Sequence, residues 1–294
     1  MKWGFVGLGQ MGFPMARRLS EVVDVVAYDR KGRDWDGLTT ASGPSELQGC
    51  EVLLTCLPSG KVVEEVLFGE QGLAAAMPHG ALVIDTSTTS HGAAVRVGAK
   101  LKAQGIGFLD APISGMQKRA EEGTLTMMVG GEASLLESHQ GALSAMASKI
   151  LHVGPVGAGQ LAKLVNQLLF DINMAALAEI LPISAKLGLD PEQVAEIVNS
   201  GTGRSYASEF FVPNILRGVF DRGYSMQNAY KDLIAGAEIT AENGFPAPVL
   251  AAATATYQQA LAEGHGDSDK GAMIKVFEHL TGAAFREKGF KHES

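Results

Sequence analysis

Three short clusters hold residues whose types and spacing could do chemistry. The first is Gly7-Leu8-Gly9-Gln10-Met11-Gly12, a G-x-G-x-x-G run between an apolar stretch and a helical pattern. There Gly7 would make the tight turn, Gly9 would let backbone approach a pyrophosphate, and Gly12 would let helix and strand pack closely. The helix start would add free N–H groups and its positive dipole end. Asp29 closes the next apolar run, where an acid accepts hydrogen bonds from adenosine ribose hydroxyls. Together these predict a dinucleotide site. A carboxylate beside the ribose repels a 2′-phosphate, so NAD is the preferred cofactor; Arg30, Lys31 and Arg33 are cations that leave NADP open.

The second cluster is Asp110-Ala111-Pro112-Ile113-Ser114-Gly115, at the end of a predicted strand, where ligands of doubly wound sheets bind. The Ser114 hydroxyl and Gly115 N–H could hold a carboxylate; an ordinary strand-ending turn is an equal alternative. The third runs from Gly157 to Gln167. Lys163, Asn166 and Gln167, at i, i+3 and i+4, share one helix face, while Leu161, Leu164, Val165, Leu168 and Leu169 cover much of the rest. By helix geometry alone such a stripe more often faces solvent. At a domain junction it would line a cleft, where a partly desolvated lysine can act as general acid or base.

The elements that must position these residues follow from periodicity. Lys2–Val6, Val22–Tyr28, Glu51–Cys56, Ala81–Asp85 and Ile106–Asp110 read as parallel strands, with Thr124–Val129 and Lys149–Val153 as later strands of open direction. Helical stretches near Met11–Ser20, Gly60–Phe68, Ala93–Gln104 and Ala133–Ala147 alternate with them, the pattern of βαβ units. Beyond Gly159 the strands stop. A long helix is expected over Gln160–Leu187, with Pro182 a point for a kink, then helices over Pro191–Asn199, Met226–Asn243 and Pro248–Glu263. The predicted fold is an α/β domain at 1–156 and an all-α domain at 157–294, joined by the long helix; the polar end Lys288–Ser294 is expected to fray.

Composition narrows the function classes. The chain has 294 residues, a length suited to two domains, and 36 glycines, which asks for many tight turns or close backbone approaches. A net charge of −8 argues against a non-specific nucleic-acid or anionic-membrane surface. Cys50 and Cys56 have neither disulfide-framework nor zinc-ligand spacing, and the seven histidines, His265 and His279 among them, form no metal or triad constellation. Met1 and Lys2 lead straight into the first strand, and Lys163, Asn166, Gln167, Asp171 and Asn173 interrupt the longest apolar segment. A soluble cytoplasmic protein, without metal, is expected.

Gly7–Met15, Asp110–Gly115 with Thr124–Gly131, Gly157–Gln167 and Lys231-Asp232 occur in an order that resembles the β-hydroxyacid dehydrogenases. That family includes 3-hydroxyisobutyrate dehydrogenase, tartronate semialdehyde reductase and the more distant 6-phosphogluconate dehydrogenase, and the segments 200–207 and 274–278 look like those of 2-(hydroxymethyl)glutarate dehydrogenase. The resemblance implies a Rossmann-type NAD(P) domain, a helical substrate and oligomerisation domain, and a homodimer or homotetramer. It implies hydride transfer between NAD(P) and the alcohol carbon of a small anionic 3-hydroxyacid, 3-hydroxyisobutyrate-like or a dicarboxylate analogue. Lys163 becomes the catalytic acid/base, Ser114 and Gly115 the carboxylate ligands, and Asn166 with Gln167 an orienting pair. Leu8, Gln10 and Met11 belong to the cofactor loop, Leu57, Pro58 and Thr88 border the dinucleotide, and Lys231 reaches the cofactor region, with Asp232 steadying it or its helix.

Departures from the family pattern are visible. Gln167 stands where a second asparagine is usual, and Met116-Gln117-Lys118-Arg119 follows Gly115 where small residues are common. Arg119 or Arg204 could bind a second carboxylate or serve structure alone. Two rivals remain. An imine reductase on the same fold commonly lacks the lysine, and a catalytically silent dinucleotide sensor has no need of Lys163, Ser114 and Asn166 together.

Overall fold

The computed structural model describes residues 1–32 and 35–289; Arg33 and the end of the expected polar tail lie outside the described residues. The chain divides into two compact units, Met1–Lys163 and Leu164–Ser294, so that α6 below begins in one and continues in the other.

The first unit runs β1 (Trp3–Val6), α1 (Gly12–Ser20), β2 (Val25–Tyr28), β3 (Thr39–Thr40), β4 (Val52–Thr55), α2 (Gly60–Phe68), β5 (Leu82–Asp85) and α3 (His91–Ala103). It continues with β6 (Gly107–Asp110), β7 (Ile113–Ser114), α4 (Met116–Glu121), β8 (Leu125–Gly131), α5 (Ala133–Leu143) and β9 (Ala147–Gly154). The sheet order is β3-β2-β1-β4-β5-β6-β8-β7, with β9 also on β8. Trp3 of β1 pairs with Val25 on one side and Val52 on the other, both parallel. The order reverses at β1, so the carboxyl ends of β1 and β4 flank the crevice where such sheets bind ligands. β8 lies antiparallel to β6 and β7 and parallel to β9, which settles the two directions that the sequence leaves open.

Every residue of β1, β4 and β5 is buried, because helices cover both faces. The pleat sends alternate side chains to opposite faces. Phe5, Leu54 and Ile84 enter one core with Leu8, Met15 and Leu109, while Val6, Leu53 and Val83 enter the other with Val63, Val97 and Leu101.

The second unit holds α6 (Ala158–Lys186), α7 (Pro191–Ser200), α8 (Tyr206–Leu216), α9 (Met226–Glu242), α10 (Pro248–Ala262) and α11 (Ile274–Thr281). α6 runs through Pro182 without ending. Asp190 caps α7 by accepting the Glu192 N–H, with Pro191 at its first position. Lys288, expected to fray, pairs instead with Asp190. Met174, Ala178, Phe211, Leu233, Tyr257 and Met273 form this unit's core. Inside it Lys270 Nζ donates to Asp171 Oδ1 at 2.5 Å and lies 3.4 Å from the centroid of the Phe170 ring, both ion-pair partners fully buried.

Candidate functional site

The glycine loop is built as its spacing requires. Gly7 has φ +98°, and a Cβ there would meet the Cys56 carbonyl oxygen at 2.3 Å. A Cβ on Gly12 would meet the Gly7 carbonyl oxygen at 1.9 Å, so α1 can start only where that side chain is absent. Gly9 differs: nothing lies within 4 Å of its Cβ direction. Open space at the middle glycine between two closed ones is the form of a cradle for a pyrophosphate, and the loop fits a dinucleotide. Asp29 closes the cradle, accepting the Leu8 N–H on Oδ2 and the Lys31 N–H on Oδ1, each at 2.8 Å. Gln10, partly with Met11 at the helix start, leads into α1, and Gln10 Nε2 donates to Gln117 Oε1. Arg30 is exposed. A cavity of about 560 Å³ beside the loop is lined by Gly9, Gln10, Arg17, Lys31 and Trp35 among others.

Two aspartates that end parallel strands organise the neighbouring loops, and neither stands among the sequence-predicted site residues. At the end of β5, Asp85 Oδ1 accepts the Thr55 hydroxyl at 2.8 Å and the Ser87 N–H at 3.0 Å. Ser87 Oγ accepts the Leu57 N–H at 2.8 Å, so Leu57-Pro58 and the segment preceding Thr88 form one surface; Thr88 itself is exposed. Burial pushes the Asp85 carboxyl up from 3.8 to about 6 against these hydrogen bonds. An acid raised on folding stabilises the fold most below its unfolded value and loses that contribution as pH rises through about 6. A rise of that size corresponds to about 3 kcal/mol. In Asp85→Asn the amide oxygen can accept both donors, so the variant is expected to lose this fall in stability between pH 4 and 7, read by chemical denaturation across that range. An unchanged slope would refute the assignment.

At the end of β6, Asp110 is fully buried and accepts the Gly157 N–H on Oδ1 at 2.6 Å and the Gln160 N–H on Oδ2 at 2.9 Å. It serves as the anion at the start of α6, where a carboxylate suits the helix dipole. Burial raises its carboxyl, and the backbone N–H groups of Gly157, Gln160 and Gly159 oppose that rise. A Cβ on Gly159 would meet the Asp110 and Met128 carbonyl oxygens at 2.5 Å, so the helix begins only with glycine here. Ser114 ends β7 and is half-buried; Gly115 has φ +145° and Met116 φ +61°, a left-handed pair that turns the chain into α4. Arg119 is tied to the Thr124 carbonyl oxygen and Arg204 to Glu209, which gives both arginines structural partners.

The polar stripe of α6 reverses the expectation from helix geometry. Lys163 and Gln167 are 8% and 9% exposed, whereas Val165 and Leu169 are each 59% exposed, so the polar side is covered and the apolar side open. Asn166, expected to share that face, is exposed. In the helical unit Gln167 Nε2 donates to Asp232 Oδ2 at 3.2 Å. Lys231 is exposed and its Nζ donates to Asn228, so Asp232 has a partner on α6 while its neighbouring lysine turns along α9. Among the described residues no group of three His, Cys, Asp or Glu side chains could hold a metal.

Residues 2–154 match the family model described as the NAD binding domain of 6-phosphogluconate dehydrogenase. Residues 157–277 match that described as NAD-binding of NADP-dependent 3-hydroxyisobutyrate dehydrogenase. The chain is 38% identical to 2-(hydroxymethyl)glutarate dehydrogenase of Eubacterium barkeri, with 97% of each chain covered. It is 37% identical to L-threonate dehydrogenase of Cupriavidus necator, covering 93% of this chain and 95% of that one. The solved 3-hydroxyisobutyrate dehydrogenase of Mycobacterium tuberculosis with L-serine has a TM-score of 0.83 and 32% identity, over 94% of this chain and 98% of that one.

Proposed function

Because the chain belongs to the β-hydroxyacid dehydrogenase family, we propose that it oxidises or forms the alcohol of a small anionic 3-hydroxyacid with Lys163 as general acid/base. NAD or NADP supplies the hydride acceptor or donor. In oxidation neutral Lys163 Nζ takes the hydroxyl proton as the carbon loses hydride; in reduction its ammonium returns that proton to the oxygen. The Ser114 hydroxyl and Gly115 N–H hold the carboxylate, and the Asn166 and Gln167 amides orient the rest, so that the reacting carbon is presented in line. The observation that carries this reading is a lysine only 8% exposed, on the second turn of a helix whose start is anchored by the buried Asp110 at the strand end leading to Ser114.

The cofactor share of the work falls to 1–156, with the Gly7–Gly12 loop, Asp29, Arg30, Leu57, Pro58 and Thr88 bordering the dinucleotide. Substrate and oligomer contacts fall to 157–294; Lys231, whose Nζ donates to Asn228, is assigned to the cofactor by family resemblance alone. Names of the relatives support a carboxylate-bearing substrate, 3-hydroxyisobutyrate-like or dicarboxylate. The test is cofactor reduction across 3-hydroxyisobutyrate, glycerate, serine, threonate, 2-(hydroxymethyl)glutarate and sulfonate analogues. Turnover of none of them with either cofactor would overturn the reading and favour a sensor.

Asp29 accepts two backbone N–H groups just after β2, where a carboxylate would meet the adenosine ribose and favour NAD. A carboxylate there repels a 2′-phosphate, whereas Lys31 and Arg17 on the adjoining cavity attract one. We expect the kcat/KM for NAD to exceed that for NADP at least about tenfold, a difference of 1.4 kcal/mol; a tenfold preference for NADP would reverse the assignment.

α6 has the length and apolar content of a membrane-crossing helix. Its Lys163, Gln167 and Asp171 are buried, however, and one side of it, with Met174, Ala178 and Leu181, packs into the core of the helical unit, as fits a soluble enzyme. Its open side carries Val165, Leu169, Ile180 and Ile183, with Leu187 just past its end, all exposed at spacings of a helix seam. This stripe supports a homodimer or homotetramer. Ile180→Glu with Ile183→Glu is expected to lower the mass measured by light scattering to that of one chain; an unchanged oligomer would place its interface elsewhere.

A further inference from the structure

Gln160 has no role in the acid/base reading, yet its side chain is 2% exposed and both ends of its amide are used. Oε1 accepts the Thr89 N–H at 2.9 Å, and Nε2 donates to the Ser87 carbonyl oxygen at 2.8 Å. Its own backbone N–H donates to Asp110 Oδ2. The amide thus closes on the Ser87–Thr89 backbone as a neighbouring strand residue would, donor to carbonyl and acceptor to N–H. Ser87 is itself held by Leu57 and Asp85. One side chain therefore ties the first turn of α6 to the loop around Thr88 and, through Asp110, to the strand end leading to Ser114. Lys163 stands three residues on, the adjacent position on the helix surface.

We propose that Gln160 is a positioning residue for the reaction, holding the turn that carries Lys163 in register with the Ser87–Thr89 loop. The proposal rests on the reading of Lys163 as the acid/base. Gln160 touches no reacting atom. Its contribution is that Nζ reaches the substrate hydroxyl at the right place, and a misplacement near 1 Å can cost on the order of 10²-fold in rate. A buried amide with two partners suits this task, since removing it leaves the Ser87 carbonyl and the Thr89 N–H without that partner and the turn held by Asp110 without that tie.

Two substitutions separate positioning from packing. Gln160→Met keeps the volume and loses both hydrogen bonds. Gln160→Glu, when ionised, can accept from Thr89 but sets a carboxylate against the Ser87 carbonyl; when protonated, it has one acceptor and one donor and reproduces the amide. The titratable groups around the position are Asp110 at the end of β6, Asp85 at the end of β5, His91 on α3 and Lys163 itself. The ratio of variant to wild-type kcat is taken at each pH, and Gln160→Met, which adds no charge beside these groups, gives the loss that owes nothing to a new carboxylate.

With saturating substrate and cofactor, well below each variant's Tm, Gln160→Met is expected to lose about 10- to 100-fold in kcat at every pH. Gln160→Glu is expected to lose as much at high pH and to recover towards wild type as the pH falls, with little change in substrate KM. A Glu variant whose kcat ratio is independent of pH, or a Met variant with wild-type kcat, overturns the proposal. Should the Met variant not fold, the Glu profile decides alone. Lys163→Met is run in parallel. If it turns over normally, the acid/base reading fails; if it is inactive while Gln160→Met is as fast as wild type, only the positioning role fails.

Discussion

Lys163→Met is expected to lower kcat by about 10²- to 10⁴-fold, the usual reach of a positioned acid/base, while reduced-cofactor binding followed by fluorescence stays as in the wild type. Methionine keeps most of the stem that fills the position, which matters for a side chain only 8% exposed. What it removes is the one group assigned to exchange the hydroxyl proton. Substrate KM should change far less than kcat, because the carboxylate is assigned to Ser114 and Gly115. Lys163→Ala adds a second readout: small primary amines at high concentration should restore part of the rate, more so as the free base becomes abundant with rising pH. A Lys163→Ala variant with near-normal turnover would sink the mechanism. A wild type that binds cofactor and oxidises no hydroxyacid would leave a sensor.

The central strands were legible in the sequence because burial on both faces writes each as a short unbroken apolar run ending at a turn. The run Ala81–Asp85 is an example, and its observed bounds are Leu82–Asp85. Strand direction was not legible for β8, since it depends on partners outside the run itself: Ile113 pairs antiparallel with Met127 across a connection of turns and one short helix. β7, with two residues, has no periodicity to read. α8 escaped for the opposite reason. Ala207, Phe211, Val212 and Ile215 are buried around most of its circumference and Pro213 lies inside it, so no polar face marks the period. Ser205 and Ser208 cap it reciprocally, a pairing more readily noticed when the second residue is Glu.

At the site, glycine spacing carried most of the information because each glycine answers a steric demand. The side of α6 that is covered was not legible. Periodicity separates Lys163 and Gln167 from Val165 and Leu169, but only neighbours far along the chain determine which side meets water. The buried anchors Asp85 and Asp110 did have a signal, since each is an acid ending an apolar parallel strand, where a carboxylate can accept N–H groups from the next loop or helix. Gln160 had none. Its importance lies in reaching back to Ser87 and Thr89, a distance in sequence that local pattern does not encode.

Two glycines in one loop are expected to fail in different ways, and the difference tests the cradle without turnover. Gly12→Ala puts a methyl group 1.9 Å from the Gly7 carbonyl oxygen, a contact that backbone must move to relieve. It should destabilise the first unit by on the order of 3 kcal/mol, near the upper range for overpacking, and lower Tm even without cofactor. Gly9→Ala meets nothing within 4 Å, and φ at Gly9 is not left-handed, so the unliganded fold should melt as the wild type does. The same methyl group would occupy the space into which a pyrophosphate must come. Cofactor affinity should then fall by about 5- to 150-fold, the same 1–3 kcal/mol of overpacking now charged to the complex. Calorimetry with NAD and thermal melts on both variants give the four numbers required. If Gly9→Ala bound cofactor like the wild type, the open space at the middle glycine would not be where the phosphates lie. If Gly12→Ala melted like the wild type, the closeness of α1 to the loop would not limit this unit's stability.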